Sequence, residues 1–312
     1  MRNAFTTALC ELARRDPRIL FLVSDIGNIT FDGFRKEFSD RFLNVGIAEA
    51  SMIGVSAGLA LCGRIPIAYT IASFEIFRAF EQIRDDVCYQ NLPVKIVGVG
   101  GGLAYGTLGP THHTMEDIAA LRAIPNMTIV CPADPIEARL LAFAVVEHDG
   151  PVYIRLAKAG EPNLHAGDYP LRIGSAVQMA DGDDAAIIAT GVVVGNALKA
   201  AERLRAKGVH SRVINMHTLK PLDRDAVLKA AHETGTVITV EEHSLFGGLG
   251  GAVAEVLAED GGGPVRFRRL ALADRFCQDY GSQTYLLEQA GLGADAIATA
   301  VEAMLARKVG GR

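Results

Sequence analysis

Short runs rich in β-branched residues alternate along this chain with longer segments of helical character, and this alternation limits the possible folds more than any other feature. Parallel strands need a crossover connection, usually a helix, so the pattern predicts parallel sheets covered by helices. The candidate strands are residues 18–25, 64–70, 93–99, 127–132, 151–156, 185–190, 210–216, 236–242 and 265–272. The candidate helices lie near residues 2–14, 47–62, 74–90, 115–123, 134–147, 192–207, 222–232, 248–258 and 293–307. We expect an α/β protein with two open, largely parallel, twisted sheets flanked by helices.

One polar stretch, AKAGEPNLHAGDYPL at residues 157–171, interrupts the alternation. It contains glycine and two prolines and has no clear periodicity, which is typical of a linker. We therefore predict a first domain at residues 1–160, a linker at 161–172 and a second domain at 173–312. With 312 residues and 49% hydrophobic content, the chain is long and apolar enough for each domain to have its own core.

Composition argues against several classes of protein. No apolar run reaches the roughly 18–20 residues that span a bilayer, and charges interrupt the first twenty residues, so we expect a cytoplasmic chain without a membrane partner. A net charge of -5 without long basic runs gives no electrostatic footprint for nucleic acid. The cysteines are widely separated and never in CxxC spacing, which indicates buried free thiols instead of disulfides or a zinc site.

Two glycine-rich segments invite a nucleotide-binding interpretation. GVGGGLAYG (98–106) follows a candidate strand, and FGGLGGAVAE (246–255) opens a helix whose first amides could hold an anion. Neither has the GxGxxG spacing with a distant acidic residue that a dinucleotide site requires. Tight turns and close packing are the favoured interpretation of both.

Glu49 is the one carboxylate in NVGIAEASMIGVSAGLAL, an otherwise apolar or small-residue run. In the first turn of a helix it would favour the macrodipole and could cap free amides. Alternatively it is a buried acid that shares a proton with a ligand base, because an unpaired carboxylate in such surroundings would be costly. The segment alone leaves both interpretations open.

Two further features follow Glu49 along the chain. SFEIFRAF sets Phe74, Phe77 and Phe80 at three-residue intervals, which at helical spacing is typical of a core stripe. GPTHH then places His112 and His113 in a loop before a helix, where a histidine often faces a ligand.

Here the sequence resembles a known family. The segments RFLNVGIAEASM, SFEIFRAFEQIR, GPTHHTMEDIAALRAIPNMTIVCPAD, DGPVYIRLAK, HTLKPLD and VEEHSLFGGLGGAVAE together resemble the C-terminal half of transketolase and of its relative 1-deoxyxylulose-5-phosphate synthase, which are thiamine diphosphate enzymes. The resemblance covers nearly the whole chain. It implies a pyrimidine-binding domain followed by a transketolase C-terminal domain.

The resemblance assigns the cofactor-binding residues. Glu49 matches the catalytic acid that hydrogen-bonds N1′ of the cofactor's aminopyrimidine, where proton sharing favours the imino form of the 4′-amino group. Phe74, Phe77 and Phe80 match the positions whose aromatic side chains pack against the aminopyrimidine, in a slot that excludes water.

The substrate-binding residues follow from the same resemblance. His112 matches the catalytic histidine near the donor's hydroxyl and carbonyl groups, whereas His113 has no assigned role. Arg2 and Lys158, with Arg155 as a neighbour, are the positions that could contact a substrate phosphate.

Two departures from the family leave the substrate open. Transketolases usually have an Asp four residues before the GPTH histidine, and this chain has Leu108 there. A basic residue used for substrate phosphate is replaced by Gly100 or Gly101. A modified sugar phosphate or a sulfonated sugar is therefore as compatible with the sequence as a pentose phosphate.

The family holds its diphosphate and Mg²⁺ through a GDG motif on an N-terminal domain, which this sequence does not include; Gly182-Asp183-Asp184 lacks that context. The resemblance implies a split transketolase. This chain would be the C-terminal subunit, without metal ligands of its own, in an α2β2 heterotetramer with a separate subunit that holds the diphosphate and Mg²⁺. It would transfer a two-carbon ketol unit from a ketose to an aldehyde. The alternatives are a β subunit of a 2-oxoacid dehydrogenase-type decarboxylase and a non-catalytic regulatory homologue; GPTHH favours the transketolase.

Overall fold

The computed structural model describes residues 1–26, 30–158 and 160–306. Its first half contains, in chain order, α1 (Arg2–Arg15), β1 (Ile19–Val23), α2 (Asp32–Glu37), β2 (Phe42–Asn44), α3 (Glu49–Leu61), β3 (Ile65–Ile71), α4 (Ala72–Arg78), α5 (Phe80–Gln82), β4 (Lys95–Val99), α6 (Asp117–Arg122), β5 (Thr128–Val130), α7 (Pro135–Glu147) and β6 (Val152–Leu156). No helix or strand occurs at residues 161–172, all of which are described.

The second half restarts the alternation. It contains β7 (Val177–Ala180), β8 (Ala185–Ala189), α8 (Val194–Arg205), β9 (Ser211–Asn215), β10 (Thr218–Lys220), α9 (Arg224–Thr234), β11 (Thr236–Ser244), α10 (Leu249–Asp260), β12 (Arg266–Leu272), α11 (Gln283–Gln289) and α12 (Ala294–Ala306). The predicted α/β class with two largely parallel sheets is confirmed. The short elements α2, β2, β7, β10 and α11 were not predicted.

The first sheet has seven strands in the order β10-β5-β6-β4-β3-β1-β2. Its strands are parallel except for β10, which runs antiparallel to β5 at the edge. The central strands β3, β4 and β6 are almost completely buried, as expected for a sheet covered by helices on both faces.

The second sheet has five strands in the order β12-β11-β8-β9-β7, with only β7 antiparallel. One apolar cluster lies in the first half, around Phe21 and Ile154, and another lies mostly in the second half, around Ile187 and Val240. A third cluster joins Ile96 and Ile129 of the first sheet to Ile188 and Ile214 of the second. The strand β10 belongs to the second half by sequence and to the first sheet by pairing.

Local sequence signals explain several helix boundaries. The Asp134 carboxylate accepts a hydrogen bond from the backbone N–H of Glu137, and Pro135 occupies the first helical position of α7, where its missing N–H costs nothing. Asp223 caps α9 in the same way, and Gly235 ends that helix with φ 64°, a left-handed conformation that glycine adopts readily. These signals place α7 and α9 close to their predicted positions.

Two predictions need correction. The single helix predicted near residues 74–90 is broken. Helix α4 ends at Arg78, the next residue Ala79 has the non-helical angles φ -112° and ψ 18°, and the segment Ile83–Cys88 is a wider π-helix. The cysteines are free thiols, but only Cys88 and Cys131 are buried, whereas Cys62 is exposed.

In the portion of the chain that the model describes, no helix is both long and apolar enough to cross a bilayer.

Candidate active site

The predicted site residues lie where the central strands of the first sheet end. The carboxyl ends of parallel strands share one edge of a sheet, and ligands of open α/β sheets bind in the crevice outside that edge. β1 leads to Ser24, β3 to α4, β4 to the glycine-rich segment 100–106, and β6 to Lys158. The strands run β6-β4-β3-β1 across the sheet, so these four segments follow one another in the same order.

Glu49 is the first residue of α3, and its side chain is 3% exposed. One carboxylate oxygen accepts a hydrogen bond from the Ser24 hydroxyl at 3.1 Å, and the other accepts one from Nη1 of Arg78 at 2.9 Å. Glu49 therefore occupies a first helical turn, but its carboxylate accepts hydrogen bonds from the side chains of Ser24 and Arg78, which lie outside α3. The geometry favours a buried, paired acid over a simple helix cap.

Arg78 connects Glu49 to the predicted aromatic slot. Its guanidinium carbon lies 4.2 Å from the centroid of the Phe74 ring, while its side chain remains about half exposed. Phe77 is 46% exposed, which is unusual for a phenylalanine, and lines a cavity of about 370 Å³ with Phe74 and Arg78. Phe80 instead packs against the apolar core, so the structure separates it from this cavity.

The histidine loop also contacts the Phe74 ring. The centroid of the His112 ring lies 5.0 Å from that of Phe74, in an edge-to-face arrangement, and its Nδ1 is 3.0 Å from the Thr111 hydroxyl. His113 is buried and lines the same cavity; neither of its ring nitrogens has a hydrogen-bond partner among the described residues. Burial and the neighbouring His112 both lower the pKa of His113.

Tyr105 extends the row of contacts to Lys158. The Tyr105 and His112 ring centroids are 6.0 Å apart, and the Lys158 ammonium lies 4.9 Å from the Tyr105 centroid. Burial raises the pKa of Tyr105, and the positive charge of Arg2 opposes that shift. Glu49, Arg78, Phe74, His112, Tyr105 and Lys158 thus form one continuous row, with Arg2 nearby.

Arg155 does not join this row. Its Nε donates to the Asp117 carboxylate at 2.8 Å, and its Nη2 donates to the carbonyl oxygens of Thr114 at 2.8 Å and Glu242 at 3.1 Å. Both members of the Arg155–Asp117 pair are buried. The predicted phosphate contact by Arg155 is not supported, because its donors are already used to hold the loop that follows His113.

Gly100 and Gly101, where the family pattern leads us to expect a basic residue, have no room for a side chain. A Cβ atom on Gly100 would lie 2.0 Å from the Tyr105 ring, and one on Gly101 would lie 2.6 Å from Nε of Arg155. Tyr105 and Arg155 therefore occupy the space that such a residue would need. Leu108, which stands where transketolases usually have an Asp, is about half exposed.

Two buried carboxylates of the second half were not predicted. Glu242 accepts hydrogen bonds from the Leu103 N–H at 2.7 Å and from the Gln283 amide, which fixes the glycine-rich segment to the second sheet. Glu241 accepts from the first amides of α10, those of Leu249 and Gly250, so an intrachain carboxylate occupies the position where these amides could otherwise hold an anion. Burial raises the pKa of each to about 7.

Among the described residues, no group of three His, Cys, Asp or Glu side chains is placed to hold a metal ion.

Both halves of the chain match models of one protein family. Residues 1–161 match the transketolase pyrimidine binding domain, and residues 174–297 match the transketolase C-terminal domain. An apulose-4-phosphate transketolase subunit from Phocaeicola vulgatus is 44% identical over 275 residues, which are 88% of this chain and 87% of that protein.

A second relative and one solved structure match almost end to end. The 6-deoxy-6-sulfo-D-fructose transketolase subunit SqwH from Clostridium sp. is 39% identical over 309 residues, covering 99% of this chain and 95% of the relative. A structure described as a split gene transketolase, inactive beta4 tetramer, superposes with a TM-score of 0.91 and 40% identity, covering 98% of both chains.

Proposed function

Because this chain belongs to the transketolase family, we propose that it is the pyrimidine-binding and C-terminal subunit of a thiamine diphosphate-dependent split transketolase. It would transfer a two-carbon ketol unit from a ketose donor to an aldehyde acceptor. The observation that carries the proposal is the row from Glu49 through Phe74 to Lys158, because it joins an acid, an aromatic slot and a cation at one sheet edge.

The residues around Glu49 fit an aminopyrimidine. This ring system is flat, with apolar faces and nitrogen atoms at its rim. The partly buried ring of Phe74 and the exposed ring of Phe77 line one cavity, and Arg78 connects Phe74 to the buried Glu49 carboxylate. When bound, thiamine diphosphate supplies a nucleophilic carbon for the reaction. Glu49 would hold a proton at N1′, and Phe74 and Phe77 would contact the ring and exclude water.

The far end of the row suits an anionic donor. His112 would bind the donor's hydroxyl or carbonyl groups, and Lys158 with Arg2 would contact an anionic terminus. Lys158 also lines a cavity of about 510 Å³ with Thr107 and Asn196. The names of the two relatives include a sugar phosphate and a sulfonated sugar, which supports a modified donor of either kind.

The remaining half of the cofactor site is assigned to a partner. We propose that a separate subunit holds the diphosphate and Mg²⁺, that two copies of each subunit assemble, and that the assembly acts in the cytoplasm. The end-to-end match to split subunits supports this division. Both relatives are transketolase subunits, which favours this activity over a 2-oxoacid dehydrogenase and over a regulatory role.

Calorimetry tests the proposal directly. Thiamine diphosphate with Mg²⁺ should bind to the mixture of this chain and its partner, and weakly or not at all to this chain alone. Glu49→Gln should lose most turnover in the assembled enzyme with its fold intact, whereas Glu255→Gln, at an exposed position in the second half, should be near normal. Tight cofactor binding to the lone chain, or near-normal turnover by Glu49→Gln, would contradict the proposal.

A further inference from the structure

An exposed segment of the second half lies along the histidine loop, residues 109–113. Residues 273–282 join β12 to α11 and contain neither a helix nor a strand. Two large aromatic side chains of this segment are exposed, Phe276 at 71% and Tyr280 at 63%. Rings of this size are normally well buried, so their position on the surface needs a reason. We call residues 276–281 the strap.

One end of the strap is in close contact with the first half of the chain. A Cβ atom on Gly109 would lie 2.6 Å from Cε1 and 2.8 Å from the hydroxyl oxygen of Tyr280, so the Tyr280 ring lies directly against the Gly109 backbone. The N–H of Gly281 donates to the carbonyl oxygen of Gly106 at 3.3 Å. The close approach of the strap at these two points leaves room only for glycine at positions 106 and 109.

Gly109 in turn holds the two histidines. Its φ of 78° is a left-handed conformation, and its carbonyl oxygen accepts hydrogen bonds from the backbone N–H of His112 at 3.0 Å and of His113 at 3.3 Å. The Tyr280 ring therefore lies against the residue whose carbonyl closes the turn that carries His112. The His112 ring at the end of this turn contacts Phe74.

The other end of the strap borders open space on two sides. Phe276 and Cys277 line the cavity of about 370 Å³ together with Phe74 and His113. The same two residues line a second cavity, of about 660 Å³, together with Leu103. The contacts that fasten the strap to the histidine loop are thus those of Tyr280 and Gly281, and Tyr280 contributes the larger surface.

Under the proposed function, on which this inference depends, His112 binds the donor, and a displacement of about 1 Å in such a group can lower turnover about a hundredfold. We propose that Tyr280 is a positioning residue, whose ring fixes the turn at Gly109 and thereby holds His112 where the donor binds. The second half of the chain then controls donor binding through the strap without contacting the donor.

The first test uses the full chain alone and needs no cofactor. Tyr280→Ala removes the ring, so the amides of His112 and His113 should exchange with solvent about tenfold faster or more. Tyr280→Phe keeps the ring and should exchange like the wild type. Tyr89→Ala removes another exposed tyrosine, at 86%, and should leave these amides unchanged. Hydrogen–deuterium exchange with mass spectrometry of peptides that contain residues 109–113 measures the rates, and unchanged exchange in Tyr280→Ala would overturn the inference.

A pair of glycine variants tests the contact itself. Gly109→Ala introduces both a strained φ and a clash with the Tyr280 ring. Gly208→Ala has the strain alone, because its φ is 79° and its Cβ would have no described neighbour within 4 Å beyond the adjacent residues. Chemical unfolding should show a loss about tenfold larger in the folded-to-unfolded ratio for Gly109→Ala, and this excess should disappear when Tyr280→Ala is added. An excess that persists without the ring would contradict the contact.

The last test measures activity in the assembled subunits. Tyr280→Ala should lower kcat/KM for the donor about tenfold or more, with less than a twofold change in thiamine diphosphate affinity, and Tyr280→Phe should restore the wild-type value. A merely structural role would change donor and cofactor binding together. Wild-type kcat/KM in Tyr280→Ala would overturn the inference and leave the proposed function intact. Absence of turnover by the wild-type assembly would count against the proposed function, while the exchange rates would still decide whether the strap holds the loop.

Discussion

The buried pair Asp117–Arg155 should determine both the stability of the chain and the position of the histidine loop. Asp117 is 0% exposed, and one of its oxygens accepts from Arg155 Nε at 2.8 Å and from the Tyr153 hydroxyl at 2.7 Å. Arg155 also holds the carbonyl oxygen of Thr114. Asp117→Asn keeps the shape of the side chain but leaves the Arg155 guanidinium buried without a counter-ion.

Removing one partner of a buried ion pair typically costs about 3–5 kcal/mol. If the free energy of unfolding falls by about 3 kcal/mol per molar urea, this loss lowers the urea concentration at the unfolding midpoint by roughly 1–2 M. Circular dichroism is the appropriate probe, because the chain contains no tryptophan. Turnover with the partner should also fall, since the anchor of the loop behind His112 is weakened.

A double variant provides the control. Asp117→Leu with Arg155→Met replaces both charges by apolar groups, which is often neutral for stability. It should recover at least half of the loss, because no uncompensated charge remains, although Tyr153 and the Thr114 carbonyl lose their partners. If the free energy of unfolding of Asp117→Asn lies within about 0.5 kcal/mol of the wild-type value, Asp117 is not the counter-ion that keeps Arg155 buried.

Three further predictions concern single side chains. Burial lowers the pKa of Lys95 to about 7, so between about pH 7 and 10.5 the unfolded chain binds a proton that the folded chain does not. The free energy of unfolding of the wild type should therefore rise relative to that of Lys95→Met across this window, by up to roughly 5 kcal/mol. Unfolding experiments at several pH values measure this difference. Exposed Cys62 should react readily with a thiol reagent, whereas Cys88 and Cys131, whose pKa burial raises to about 12, should react only after unfolding. Lys158→Met should raise the KM of a phosphorylated or sulfonated donor about tenfold and leave that of the uncharged sugar nearly unchanged.

Much of the fold was accessible from the sequence, because buried parallel strands are continuous apolar runs and helices have caps that can be recognised. The stretch Ile65–Ile71 is buried along almost its whole length, and Asp134 with Pro135 marks the start of α7. The strand β10 could not be predicted, because its three residues carry no periodicity and its partner β5 lies far away in sequence.

The candidate site was predicted less completely. Glu49 stood out because it is a carboxylate in an apolar run, and Phe74 and His112 were found through their motifs. Arg78 and Tyr105 were missed, because their roles come only from contacts in the folded chain. Arg78 binds Glu49 and lies over the Phe74 ring, and Tyr105 lies between His112 and Lys158. Lys158 and Arg155 are three residues apart in sequence but face different surroundings, since Arg155 is inside β6 and Lys158 follows its end.

The strand β10 ties the two halves of the chain together in a way that the linker alone would not. A cut between residues 161 and 172 would leave Thr218–Lys220 paired with β5, and Lys220 would still donate to the carbonyl oxygens of Arg122 and Ile124. The fragments would therefore stay associated after cleavage. A genetic truncation at the same point would remove the edge strand of the first sheet and expose the polar backbone of β5. Shortened versions of this chain should accordingly aggregate, and swapping its second half for that of a relative requires a matching β10.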